Sequence, residues 1–265
     1  MIHGRALSVA NRLLAAACNT AYRRAAGVIC IAPTMAAMLH ERGVPEEKLH
    51  VVPNWADESV FFPAPHSEPV ARKLGLADHF SVMFAGNLGH LQGLDIAIRA
   101  AGEVGDLRDF RLVLVGDGVA RASLEELARS LGVGNVLFVP AQPIHAMNAI
   151  TCAADVQLVS LRDLPLFRGT IPSKLGTAMA SGLPVICAVN GDASRVIADS
   201  GAGWACAAED VAALARAFRA AYASPPEQLA EFGSAGRRYY GAHLARGVSV
   251  PRVVEILFHA RRYRG

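Results

Sequence analysis

From residue 80 onward, nearly continuous apolar runs recur along the chain: FSVMFAG (80–86), RLVLVG (111–116), NVLFVP (135–140), DVQLVS (155–160), PVICAV (184–189) and GAGWACA (201–207). A strand covered on both faces has no solvent side to show, so it reads as an unbroken apolar run rather than as an alternation. Between the runs lie stretches of helical periodicity, such as LQGLDIAIRAAGEV (91–104) and ARASLEELARSLG (120–132). This strand and helix alternation predicts βαβ units, and hence a parallel sheet with helices on both faces. The expected class is α/β, a Rossmann-like doubly wound sheet, with ligand sites at the carboxyl ends of its strands.

Ahead of this series, residues 6–25 are rich in Ala and Leu with interspersed Arg and no Gly or Pro, which predicts a helix. GVICIA (27–32) and KLHVVPN (48–54) read as short strands flanking a helix, PTMAAMLHERG (33–43), with Gly43 just past its end. FFPAPHSEP (61–69) holds three prolines and little periodicity, the composition of a linker. The tail predicts helices over 209–223, 226–242 and 249–262. The expected organisation is a first segment over 1–56, a linker over 57–70, the main domain over 71–240 and a C-terminal helix over 241–265.

A chain of 265 residues with 52% hydrophobic content can fill a substantial core. A formal charge of +3 is too small to point to nucleic acid as a partner. Basic residues do gather at the ends (Arg5, Arg12, Arg23 and Arg24; Arg252, Arg261, Arg262 and Arg264), as solvated helix faces or as points of peripheral contact with anionic lipid. No run approaches the roughly 18 apolar residues of a spanning helix, and Asn11 and Arg12 interrupt the apolar stretch 6–18 that would otherwise resemble a secretory leader. Cys18, Cys30, Cys152, Cys187 and Cys206 are odd in number and lack C-x-x-C spacing, so they read as buried thiols of a reducing, cytoplasmic compartment. The nine histidines are scattered without ligand spacing, and no metal site is expected. No G-x-S-x-G elbow or Walker loop is present.

Three loops carry candidate chemistry. After the first strand of the main domain comes GNLGHLQG (86–93), leading into a helix. Glycines there would let backbone N–H groups approach a diphosphate at the positive helix end, or would serve only a tight turn. The spacing is not G-x-G-x-x-G, which argues against a nicotinamide enzyme. VGDG (115–118) offers Asp117 at the strand end, with helix capping as its simplest role. TIPSKLGTAMASGLP (170–184) places Ser173 as a cap, Lys174 in the first helical turn and Thr177 one turn on. A lysine in that position opposes the helix dipole, and a bound anion would remove the conflict.

Four segments together resemble the C-terminal half of family-4 retaining glycosyltransferases of the GT-B fold, especially the bacterial branch of fucosamine and colanic acid transferases. They are VVPNWADESVFFP (51–63), FAGNLGHLQGLDIAIRAA (84–101), LVLVGDG (112–118) and TIPSKLGTAMASGLPVI (170–186). The resemblance implies that a nucleotide-sugar donor binds through Gly86, Asn87, Leu88, Gln92, Asp117, Pro140, Ser173, Lys174 and Thr177, its diphosphate near Gly86, Asn87 and Lys174, its ribose near Thr177 and its base near the loop after Val139. It implies a UDP-sugar as substrate, a saccharide or lipid-linked acceptor in cell-surface polysaccharide assembly, retention of configuration, and neither metal nor other cofactor. No catalytic side chain is assigned.

The chain departs from the wider family in having Asn87 and Gln92 where Arg and Lys are common, and Gly169 and Thr177 where two glutamates are common. Residues 1–56 resemble only the end of an N-terminal, acceptor-side domain. The expectations are therefore an enzyme acting at the cytoplasmic membrane face with a separate N-terminal domain polypeptide, or a non-catalytic or degenerate nucleotide-sugar-binding half. A sugar-nucleotide epimerase stands third, with only His90 and Asp117 available for proton chemistry.

Overall fold

The computed structural model describes residues 14–262. The expected helix over residues 6–13, Arg5, Arg12, Arg264 and the side chains of Arg261 and Arg262 lie outside what is described. A helix over 14–24 (α1) leads to strand β1 (Val28–Cys30), helix α2 (Pro33–Glu41) and strand β2 (Leu49–Val51), and β1 and β2 form a two-stranded parallel sheet. Helix α3 (Glu68–Leu74) precedes the larger sheet. Its strands are β3 (Phe80–Ala85), β4 (Phe110–Val115), β5 (Val136–Val139), β6 (Val156–Ser160), β7 (Val185–Ala188) and β8 (Gly203–Cys206). Helices α4 (Leu94–Gly102), α5 (Arg121–Ser130), α6 (Met147–Thr151), α7 (Pro165–Arg168), α8 (Ser173–Ala180), α9 (Asp192–Ser200), α10 (Val211–Tyr222), α11 (Pro226–Tyr239) and α12 (Arg246–Arg262) complete the chain.

The six strands lie in the order β5-β4-β3-β6-β7-β8, all parallel. Because β3 pairs with β4 on one side and with β6 on the other, the crossovers leave in opposite directions and open a crevice at the carboxyl ends of β3 and β6. Apolar residues occupy both faces of the sheet. Val82, Phe84, Leu112 and Leu114 pack with α4 and α10 through Leu94, Ile98, Leu214 and Phe218. Met83, Val113 and Val115 pack on the opposite face with Ala71, Ile150 and Ala153. Val159, Val185 and Cys187 meet α8 and α9 through Leu175, Met179 and Ile197.

Several boundaries differ from expectation. The helix expected over 91–104 begins instead as a 3-10 turn, His90–Gln92, and α4 starts only after Gly93, whose φ of 61° breaks the run. Helix α11 passes into a π-helical turn, Tyr240–Leu244, before α12. That turn carries Tyr240, fully buried, whose hydroxyl accepts from Ala56 N (3.1 Å) and donates to Glu58 Oε1 (3.0 Å). The proline-rich segment is fastened as well, since Phe62 exchanges N–H and C=O hydrogen bonds with the side chain of Asn148 (3.4 and 3.1 Å), and α3 begins within it at Glu68. Of the five cysteines, all free, Cys30, Cys152 and Cys187 are buried as expected, while Cys18 and Cys206 are only half-buried. Among the described residues, no helix is long and apolar enough to cross a membrane.

Candidate functional site

Strands β3 and β4 end level, with Ala85 paired to Val115, so the residues that follow, Gly86 and Gly116, sit side by side at the crevice. Gly86 N donates to Val115 O (2.8 Å) and Gly116 N to Val139 O (3.0 Å). Gly116 has φ 144°, and a Cβ there would stand 1.9 Å from Gly86 O, so the two loops touch backbone to backbone. Gly86, with φ 139°, meets a side chain instead: its Cβ would lie 2.7 Å from Lys174 Cε and 2.8 Å from Nζ.

Lys174 arrives there because Pro172, extended at φ −58° and ψ 139°, starts α8 at Ser173, which aims the second helical residue at the β3 loop. Its ammonium lies 4.8 Å from the centre of the Phe84 ring. Among the described residues it has no carboxylate within ion-pair distance. Burial lowers its pKa below the ordinary lysine value. The N–H groups of Ser173 and Lys174 belong to the first helical turn and lack intrahelical acceptors. An unpaired cation and free amide donors thus converge on one glycine loop, and an anion seated there would satisfy both.

These groups line a cavity of about 560 Å³, with Asn87, Val115, Gly116, Asp117 and Thr177 on the sheet side and Trp55, Ala56, Asp57 and Phe61 opposite. A family model described as "Glycosyl transferases group 1" matches residues 79–224, and a second, "Glycosyltransferase Family 4", matches residues 1–60. The chain belongs to the glycosyl transferases group 1 family.

Among relatives of that family, it is 29% identical over 212 residues to the probable glycosyltransferase WbjE of Pseudomonas aeruginosa, across 79% of this chain and 52% of that one. It is 33% identical to the putative colanic acid biosynthesis glycosyl transferase WcaI of Escherichia coli K12, across 54% of this chain and 35% of the relative. The fold matches the crystal structure of Anabaena HepE in complex with UDP at a TM-score of 0.79 and 20% identity, covering 90% of this chain and 65% of HepE. The sheet is thus the GT-B type of α/β fold. The chain spans about half the length of WbjE.

Of the residues expected to hold a donor, Gly86, Asn87, Asp117, Ser173, Lys174 and Thr177 line this cavity together, and Leu88, Gln92 and Pro140 do not. Leu88 is fully buried, and its backbone joins the two loops, N–H to Asp117 O (2.8 Å) and C=O from Ala120 N (2.9 Å). Gln92 Oε1 accepts from Gly89 N (3.1 Å), which shapes the turn. Pro140 is exposed at the end of β5, and its carbonyl accepts from Gln142 Nε2 (3.0 Å). His90 is exposed and outside the lining.

Two capping expectations are corrected. Ser173 is the first helical residue and Pro172 holds the cap position without a side-chain bond. Asp117 accepts from Gly118 N (2.8 Å), while Ala120 precedes α5, because Gly118 and Val119 intervene before the helix can start. Thr177 Oγ1 donates to Lys174 O (3.0 Å) within the helix.

Sequence reasoning missed the lining residues Trp55, Ala56, Asp57 and Phe61, while Gln142, Ile144 and Met147 were not singled out but lie on the stretch after Val139 where the base was expected. The available signal was the pair Trp55 and Phe61, large aromatic residues in a segment otherwise composed like a solvated linker. A larger cavity, about 650 Å³, lies between β2 and α12 beside Gly27, His50 and Arg252. It includes Glu47 and Glu255, and it lies away from the carboxyl ends of the six-stranded sheet, where ligand sites of such sheets are found.

Proposed function

We propose that this chain carries the donor side of a glycosyl transfer, taking a UDP-sugar and passing the sugar to a saccharide or lipid-linked acceptor in cell-surface polysaccharide assembly. The observation that carries the reading is Lys174, a half-buried ammonium without a counter-ion among the described residues, set against the Gly86 backbone at the head of α8. As the bond from the sugar C1 to the diphosphate breaks, the electron pair stays on the diphosphate, and Lys174 with the Ser173 and Lys174 N–H groups would stabilise that charge. The C1 carbon then bonds to an acceptor hydroxyl, which gives up its proton to the departing diphosphate or to water. Retention of configuration, independence of metal and action at the cytoplasmic membrane face follow from the family resemblance. HepE, seen with UDP and with UDP-glucose, supports the choice of nucleotide.

A second reading, a nucleotide-sugar-binding half without transfer activity of its own, is favoured by the lining itself, whose carboxylates are Asp57 and Asp117 alone. Thermal melting with UDP, UDP-sugars, ADP and GDP tests the first step. A UDP-type ligand at 100 times its Kd is expected to stabilise by about 2.7 kcal/mol, and no shift with any nucleotide would overturn both readings. Transfer of labelled sugar to a lipid-linked saccharide then separates them. Binding without transfer, even with an acceptor-side polypeptide supplied, favours the second.

A further inference from the structure

Two of the loops that line the cavity come from different crossovers, the β3 loop with Gly86 and Asn87 and the long β6 loop (161–172) that delivers Ser173 and Lys174. One side chain outside the cavity joins them. Arg162 Nε donates to His90 O (3.3 Å), one terminal nitrogen to Asp95 Oδ1 at the start of α4 (2.6 Å), and the other to Glu209 Oε1 (2.9 Å). Its backbone N–H donates to Leu91 O (2.9 Å). A planar guanidinium whose three nitrogens all have partners fixes direction as well as distance.

The clasp continues along the β6 loop. Glu209 Oε2 accepts from Asp163 N (3.1 Å), and Asp163 in turn takes two bonds from Arg168 (3.0 and 2.9 Å). Glu209 holds this place at φ 62°, the only non-glycine of positive φ among the described residues. A conformation of that kind persists only where surrounding bonds impose it. The turn under the clasp runs beside the end of β6: at Gly93, φ 61°, a Cβ would be in ordinary contact with Ser160 Oγ (3.5 Å) and Arg162 N (3.7 Å).

We propose that Arg162 is a positioning residue, whose clasp on His90, Asp95 and Glu209 sets the separation of the two loops and so holds Lys174 at the distance from Gly86 that a diphosphate requires. This role rests on the donor reading above. The intact chain is compared with Arg162→Gln, Arg162→Lys and the milder Glu209→Gln, using Arg219→Gln as a control that breaks a comparable pair with Asp106 outside the cavity lining.

Hydrogen exchange is followed in the peptides 86–95 and 161–174, and UDP is titrated calorimetrically. In Arg162→Gln, exchange is expected to rise in both peptides together while β7 and β8 keep their protection, and the Kd for UDP to rise at least fivefold. Arg162→Lys is expected to recover part of that loss, Glu209→Gln to show a smaller effect of the same kind, and the control to show none. A rise in exchange spread over the whole sheet, or UDP binding unchanged within twofold, would overturn the positioning role alone. An unaltered chain that binds no UDP would overturn the donor reading and this role with it.

Discussion

Gly86 and Gly116 sit together at the crevice, yet a methyl group added to each would meet different matter. At Gly116 it would strike Gly86 O, a backbone atom that cannot yield without separating β3 from β4. At Gly86 it would strike the end of the Lys174 side chain, which can swing away. Both substitutions carry the strain of positive φ, about 1–3 kcal/mol. Gly116→Ala is therefore expected to lower Tm more than Gly86→Ala, while Gly86→Ala gives the larger loss of UDP affinity relative to its loss of stability, read by melting and titration of both variants. Burial lowers the Lys174 pKa from 10.5, so folding disfavours the charged form, and the penalty sets in as pH falls below the unfolded value and is complete below the lowered folded one. The diphosphate needs the ammonium, so, above the second ionisation of the terminal phosphate at about pH 6, UDP affinity should hold steady and then weaken as pH rises through the lowered Lys174 pKa. Lys174→Met is expected to be at least as stable without ligand, to lose this pH dependence, and to bind UDP more weakly by about 1.5–3 kcal/mol, the worth of a hydrogen bond to a charged group. A pH-independent titration of the unaltered chain would count against Lys174 as the anion's partner.

At the scale of elements, helix α2 is held from outside rather than by its own cap. Ala32 offers no side-chain bond to its first turn, and Asp192, buried at the start of α9, accepts from Thr34 N (2.8 Å) and Thr34 Oγ1 (2.9 Å) while pairing with Arg195. Asp192→Ala would leave these donors unmet at the positive end of α2, and a loss of about 1–3 kcal/mol is expected. Exchange should rise chiefly in residues 27–56, and nucleotide affinity should stay as it was, because Asp192 is not in the cavity lining. Such long-range partners, 158 residues apart for Thr34 and Asp192, explain what could be read in advance and what could not. The strands of the main sheet were legible because parallel pairing buries both faces and leaves continuous apolar runs. Gly86, Lys174 and their meeting were legible because strand ends and helix starts fix where a parallel sheet presents its loops. The π-helical turn at Tyr240 was not, because its long-range bonds to Ala56 and Glu58 are encoded by no local pattern, and neither were the interruption at Gly93 and the use of Pro172 rather than Ser173 as cap.

Over the whole molecule, the segment 55–61 links the first part of the chain to the main sheet, as the Thr34 and Asp192 contact also does, and it lines the cavity. Tyr240 governs its placement. The phenol, with its pKa pushed up to about 12 chiefly by burial, keeps its proton across the working range and so can both accept from Ala56 N and donate to Glu58, which in turn accepts from Arg246 N (2.9 Å) at the start of α12. One hydroxyl thus ties the cavity wall to the π-helical turn and, through Glu58, to the last helix. Tyr240→Phe keeps the ring and its packing but leaves Ala56 N without a partner in the interior, a cost of about 1–3 kcal/mol. Asp192→Ala and Tyr240→Phe are then expected to destabilise the fold by similar amounts and to differ in ligand binding. Only Tyr240→Phe frees Trp55, Ala56 and Asp57 from their place opposite Lys174, so only it should weaken UDP binding, by roughly threefold to tenfold at unchanged pH. Equal UDP affinities in the two variants would mean that the 55–61 wall does not contact the nucleotide, and that the donor is held by the main sheet alone.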